Sequence, residues 1–135
     1  VVIGPYFSKN LRAKLKKFEK YKNIMFILNK KSIFDLYKWC HLTITNTGTT
    51  RYECLSMNIP FIFFSYGIKK EYEPLKVFNA ILKNSYFGDF KYSKMNTKEL
   101  NDLLFSEDKF KILSKSTKDI VDQLGSKRIA DVLIK

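Results

Sequence analysis

Arginine is nearly missing from a strongly basic chain. Of 25 Lys and Arg residues only Arg12, Arg51 and Arg128 are arginine, and the formal net charge is +12. Sequence-specific nucleic-acid readers favour the guanidinium fork for base edges and phosphates, so this scarcity argues against a specific nucleic-acid partner. The lysines are spread along the chain among abundant Asn, Ile, Phe and Tyr, which fits a compositional bias that fills solvated helix faces with Lys. The same charge also suits a basic α/β module for nucleic acid or another polyanion, and composition alone leaves both readings open.

Histidine and cysteine are equally sparse. Cys40-His41 invites a metal reading, but one His, two Cys and no CxxC pair argue against zinc and a disulfide scaffold, and no metal or cofactor is expected. Cys40 and Cys54 sit in apolar surroundings and read as buried thiols. No run approaches the eighteen or so apolar residues that a membrane span needs, and Val1-Val2-Ile3-Gly4 lacks the basic lead and cleavage site of a signal peptide. A cytoplasmic protein is the expectation. What the chain does have is core material: 135 residues, 45% hydrophobic and 16% aromatic, enough for one domain with a real interior.

The pattern along the chain alternates strands with helices. Val1-Val2-Ile3 opens as a buried strand with no cap or turn before it, as a fragment of a larger two-domain protein would. Asn10 to Lys22 carries Leu11, Leu15 and Phe18 at helical spacing. Asn23 to Leu28 reads as a strand, Ser32 caps a helix running to Cys40, and Leu42 to Thr45 reads as a third strand. Tyr52 to Met57 makes a short helix, Asn58 suits its left-handed end, and Pro60 breaks it before a fourth strand, Phe61 to Ser65. Continuously apolar strands in β-α-β-α-β-α-β order predict a mostly parallel sheet with helices on both faces. Beyond Gly67 the spacing predicts a helix near Glu73 to Asn84, a last strand at Tyr86-Phe87 with Phe90, and helices at Thr97 to Phe105 and Lys127 to Ile134. No repeat or linker interrupts, so residues 1–135 read as a single domain.

The chemistry concentrates in "TITNTGTTRYECLSMNIPFIFF", residues 43 to 64. In an open α/β sheet, ligands bind beyond the carboxyl ends of the strands, where loops project backbone N–H groups. Gly48 lets a ligand approach the backbone, Thr49 and Thr50 add hydroxyls, and the following helix start favours an anion such as phosphate. The spacing is neither GxGxxG nor GxxxxGK[ST]. Thr50-Arg51-Tyr52-Glu53 is equally a capping box, with Thr50 capping the helix and Glu53 folding back onto it, which requires no ligand.

"TNTGTTRYECLSMNIPFIFF" resembles the donor-binding signature in the C-terminal half of GT-B enzymes: a small Gly-Thr loop, a Glu one helical turn later, then an apolar stretch with Pro. The MurG-like glycosyltransferases are similar, and within them the UDP-sugar hydrolases of pseudaminic acid synthesis. "VVIGPYFSKNLRAKLKKF" and "NIMFILNKKSIFDLYKWCHLTIT" resemble the preceding strands and helices of that hydrolase group. "DQLGSKRIADVLI" resembles their Asp-Gly-x-Gly-x-x-Arg-Ile close, with Leu124 where Gly is usual.

The resemblance implies a Rossmann-like three-layer domain that binds a nucleotide sugar, most simply a UDP-sugar, in surface-polysaccharide or nonulosonic acid biosynthesis. It implies that Gly48, Thr49 and Thr50 hold the donor diphosphate, with Asn46 and Thr47 leading into the loop, and that Glu53 binds the ribose hydroxyls. It further implies that Gly4 lets the facing loop approach the phosphates and that Ile33 walls the uracil. One departure stands out: the Asn-Gln or Asp-Gln pair that contacts the sugar is replaced by Tyr66-Gly67-Ile68-Lys69-Lys70-Glu71, in which Lys70 or Glu71 would stand in or the stretch would be an unrelated loop.

In the resembled families the general base comes from the N-terminal half, a domain expected as a partner outside this chain. No residue here is assigned a catalytic role, and His41, just before the third strand, reads as structural. Lys14, Lys16, Lys17 and Lys20 offer a face for weak membrane-surface association, which a solvated helix surface explains equally well.

Overall fold

The computed structural model describes residues 1–68, 76, 78, 80–82, 84–89 and 97–134. The chain is α/β, and among the described residues every strand pair is parallel, in two small sheets. It divides into two compact units, Val1–Lys38 and Trp39–Lys135. No helix among the described residues is long and apolar enough to cross a membrane.

The first unit contains β1 (Val2–Ile3), α1 (Lys9–Lys16), β2 (Ile27–Leu28) and α2 (Phe34–Tyr37). Its elements are shorter than the apolar spacing predicts. Ser8, in extended conformation, starts α1 by accepting the Leu11 N–H at 3.2 Å. The helix stops at Lys16 instead of reaching Lys22, and the N–H groups of Phe18, Glu19 and Tyr21 turn to carbonyls three residues back. No residue of α1 is buried, so its apolar row gains little packing energy to extend it. The β1–β2 ladder covers two residues on each strand and ends where Asn29 goes left-handed, at φ 47°. Ser32 does accept the Phe34 N–H at 3.3 Å, but α2 is a single turn ending at Tyr37, not Cys40.

The second unit contains β3 (Thr43–Asn46), α3 (Thr50–Ser56), β4 (Phe61–Ser65), β5 (Tyr86–Asp89), α4 (Thr97–Phe105), α5 (Glu107–Thr117) and α6 (Gly125–Leu133). The sheet runs β3-β4-β5, with Thr43 opposite Phe61 and Asn46 opposite Phe64. Every residue of β4 is buried, as an apolar central strand of a covered parallel sheet should be. Between the Phe63–Tyr86 and Ser65–Asp89 pairs β5 carries one extra residue, and Gly88, at φ 100°, sits in that bulge.

Alternate β4 side chains serve opposite faces. Ile62 and Phe64 pack with Phe87, Leu103 of α4 and Leu113 of α5. Phe61 and Phe63 join an aromatic group on the other face, where Phe63 meets Phe78 edge-on at 6.0 Å and Phe78 meets Tyr52 of α3 at 5.2 Å. Each fully buried Phe contributes about 1.5–3 kcal/mol by burial. Lys76, Phe78, Ala80 and Ile81 are helical, in agreement with a helix near Glu73 to Asn84, although Glu73 and Leu75 of that stretch lie outside the described residues, as does Phe90.

The end of α3 is fastened by two left-handed residues. Asn58 (φ 55°) takes the C-terminal position expected of it, and its Oδ1 accepts the N–H of Asp119 (φ 56°) at 2.8 Å. Downstream, Asp122 accepts the Leu124 N–H at 3.0 Å and pairs with both terminal nitrogens of Arg128, fixing the start of α6.

Candidate functional site

The candidate site is the corner between β3 and α3, at the carboxyl end of β3. Parallel pairing puts the ends of β3 and β4 side by side, so Asn46 and Tyr66 meet: the Asn46 Nδ2 donates to the Tyr66 hydroxyl at 2.6 Å. The other end of the Asn46 amide closes the loop. Its Oδ1 accepts the Gly48 N–H at 3.0 Å, an Asx turn. A Cβ at position 48 would stand 2.9 Å from that Oδ1 and would displace the Asn46 amide from the turn, with no positive φ involved.

Arg51 holds the same loop from beneath. It is 3% exposed. Its Nη2 donates to the Thr47 carbonyl at 2.6 Å and its Nε to the Gly48 carbonyl at 3.3 Å. The guanidinium lies 4.1 Å from the Phe78 ring centre and 4.8 Å from that of Phe63. A planar cation can donate in its plane and stack on its faces at once, which an ammonium cannot. In a trans peptide the carbonyl and the following N–H point opposite ways. Drawing the Thr47 and Gly48 carbonyls down to Arg51 therefore turns the Gly48 and Thr49 N–H groups outward. The first is taken by Asn46. Among the described residues, no acceptor meets the N–H of Thr49 or Thr50.

The capping box is not built. The helix begins at Thr50, so Thr50 lies inside it, and Thr49 at the cap position is in αR conformation with no side-chain cap bond. Asn46 and Arg51 close the loop instead, and the chain enters α3 one residue before a Thr50 cap would allow. Glu53, exposed, stands one turn along α3 from the loop, where Gly48 and Thr49 are exposed too.

Of the residues singled out in the sequence, Asn46, Thr47, Gly48, Thr49, Thr50 and Glu53 come together in this corner. Gly4 and Ile33 belong to the first unit. Gly4 is half-buried after β1, its carbonyl accepting from Phe7 N–H and Arg12 Nη2, and a Cβ there would meet nothing within 4 Å. Ile33 is the cap residue of α2, its carbonyl accepting from Leu36 N–H at 2.9 Å. Lys70 and Glu71 lie outside the described residues.

Arg51 and Tyr66 are the site residues that spacing alone misses. Arginine is scarce enough to make all three worth inspecting, and Arg51 is the one that directly follows the Gly48-Thr49-Thr50 loop. His41 is exposed and precedes β3, at the opposite end of the strand from Asn46. Cys54 is fully buried as expected, whereas Cys40 is only half-buried, its thiol donating to the Leu42 carbonyl. No protein-family model, curated protein or solved structure matches the chain.

Proposed function

We propose that the chain is the nucleotide-sugar-binding half of a GT-B-type glycosyltransferase or nucleotide-sugar hydrolase, a Rossmann-like three-layer domain whose ligand is a UDP-sugar. The observation that carries this reading is the Arg51-held loop, which turns the Thr49 amide outward at the carboxyl end of a parallel strand with exposed Glu53 one turn away. A diphosphate accepts from the Thr49 and Thr50 amides and hydroxyls, and the buried guanidinium beneath adds a favourable field. The Glu53 carboxylate accepts from two ribose hydroxyls. The Gly48 amide, already bonded to Asn46, contributes by holding the loop shape.

No catalytic residue is assigned within the chain. In this reading the base comes from an N-terminal partner domain, and the 135-residue chain binds without turnover. Calorimetric titration of UDP into wild type and Glu53→Gln tests the assignment. Loss of charge-assisted bonds should weaken UDP by about tenfold or more with an unchanged melting temperature. Equal UDP affinity in the two proteins, or a parallel loss of fold, would remove Glu53 from the site.

The net charge of +12 favours the other reading, a polyanion-binding module. Salt dependence separates the two, because counterion release makes a polyanion binder lose affinity steeply with salt, whereas a site of amides and one carboxylate responds weakly.

A further inference from the structure

Charge is not spread evenly over the first unit. Residues 9 to 22 hold six Lys and Arg12 against Glu19 alone, half of the chain's +12 in about a tenth of its length. The same stretch leaves its apolar side open. Leu11, Leu15 and Phe18 share one stripe of α1 and the turn that follows it, and none of them is buried. Leu11 is 42% exposed, Phe18 41% and Tyr21 46%, and Tyr6, in the turn before α1, is 98% exposed. On the wheel of α1, Lys9, Lys16 and Lys17 project away from the stripe and Lys14 lies on its flank. The ammonium groups of Lys17 and Lys20 sit over the Phe18 and Tyr21 rings, at 5.8 and 5.1 Å, so cation and aromatic are presented together.

From this arrangement we infer that α1 and the turns on either side of it form a docking surface for an anionic lipid membrane, independent of the proposed nucleotide site. A short apolar stripe flanked by lysines and bordered by Tyr and Phe matches a bilayer interface, where aromatic rings sit at headgroup depth and ammonium groups meet anionic headgroups. Nucleic acid would satisfy the charge and leave the apolar row in water. The one guanidinium in the stretch is also committed elsewhere, since Arg12 donates to the carbonyls of Gly4, Pro5 and Phe7. A solvated helix face accounts for the lysines but not for the exposed Leu11, Phe18 and Tyr21 beside them.

Co-sedimentation of the full chain with vesicles tests the inference, using phosphatidylcholine alone against equal parts phosphatidylcholine and phosphatidylglycerol. Wild type should partition onto the mixed vesicles and not the neutral ones. Joint replacement Lys14→Gln, Lys17→Gln and Lys20→Gln should lower the partition coefficient roughly a hundredfold, at about one kcal/mol per lysine. Leu11→Ser with Phe18→Ser should lower it about tenfold or more while the circular dichroism stays that of wild type. Equal binding to neutral vesicles, no binding to mixed ones, or indifference to Leu11→Ser with Phe18→Ser overturns the inference. So does tighter binding of a single-stranded oligonucleotide through the same lysines, which assigns the face to nucleic acid. Lipid-independent dimerisation lost in the Leu11→Ser, Phe18→Ser protein assigns it to a second copy.

Discussion

Asn46 and Gly48 are fitted to each other: the Asn46 Oδ1 accepts the Gly48 N–H at 3.0 Å and occupies the space a Cβ at 48 would need. Gly48→Ala should therefore cost about 1–2 kcal/mol, the lost hydrogen bond plus the displaced amide. In an Asn46→Ala background the same substitution should cost much less, a coupling of about 1 kcal/mol in a denaturation double-mutant cycle. Additive costs would mean that the turn does not depend on this pair.

Arg51→Lys keeps the charge and loses the fork. A lysine cannot reach both the Thr47 and Gly48 carbonyls while lying flat on Phe63 and Phe78. The expected cost is about 2–4 kcal/mol, seen as a lower denaturant midpoint at unchanged slope. Exchange of the Gly48 amide, which Asn46 Oδ1 accepts, should accelerate more than exchange in β4. A midpoint equal to wild type would show that the loop stands without the guanidinium.

The Asp122 carboxyl is held below its ordinary value of 3.8, first by the hydrogen bond from Arg128 and then by the Leu124 N–H. A depressed carboxyl pKa stabilises above the unfolded value and loses that contribution as pH falls through the folded one, so the window lies below about pH 4. Both side chains are well exposed, so the effect is local to the start of α6. Arg128→Gln should raise the Asp122 pKa toward its ordinary value in a carbon-13 titration, and an unmoved pKa would contradict the pairing.

The second unit was legible where local signals agree. The apolar run at Phe61 to Ser65, the left-handed Asn58 and the break at Pro60 place α3 and β4 within a residue or two of their observed bounds. The first unit was overread, because Leu11, Leu15 and Phe18 keep helical spacing without anything that buries them. The corner itself was half legible. Its residues could be named from the loop, but what shapes them depends on partners distant in sequence. Phe63 and Phe78 cradle Arg51 only after the sheet forms, and Tyr66 reaches Asn46 only through the β3–β4 register.

Backbone amide signals, followed as UDP, CMP and a short oligonucleotide are added separately, test the central claim most directly. Thr49→Pro serves as control: the Thr49 φ of −64° already suits proline, so the ring removes the outward amide with little strain. The account predicts shifts centred on residues 46 to 53 with UDP alone, abolished in Thr49→Pro. Shifts that the oligonucleotide reproduces, that centre elsewhere, or that survive in Thr49→Pro would contradict it.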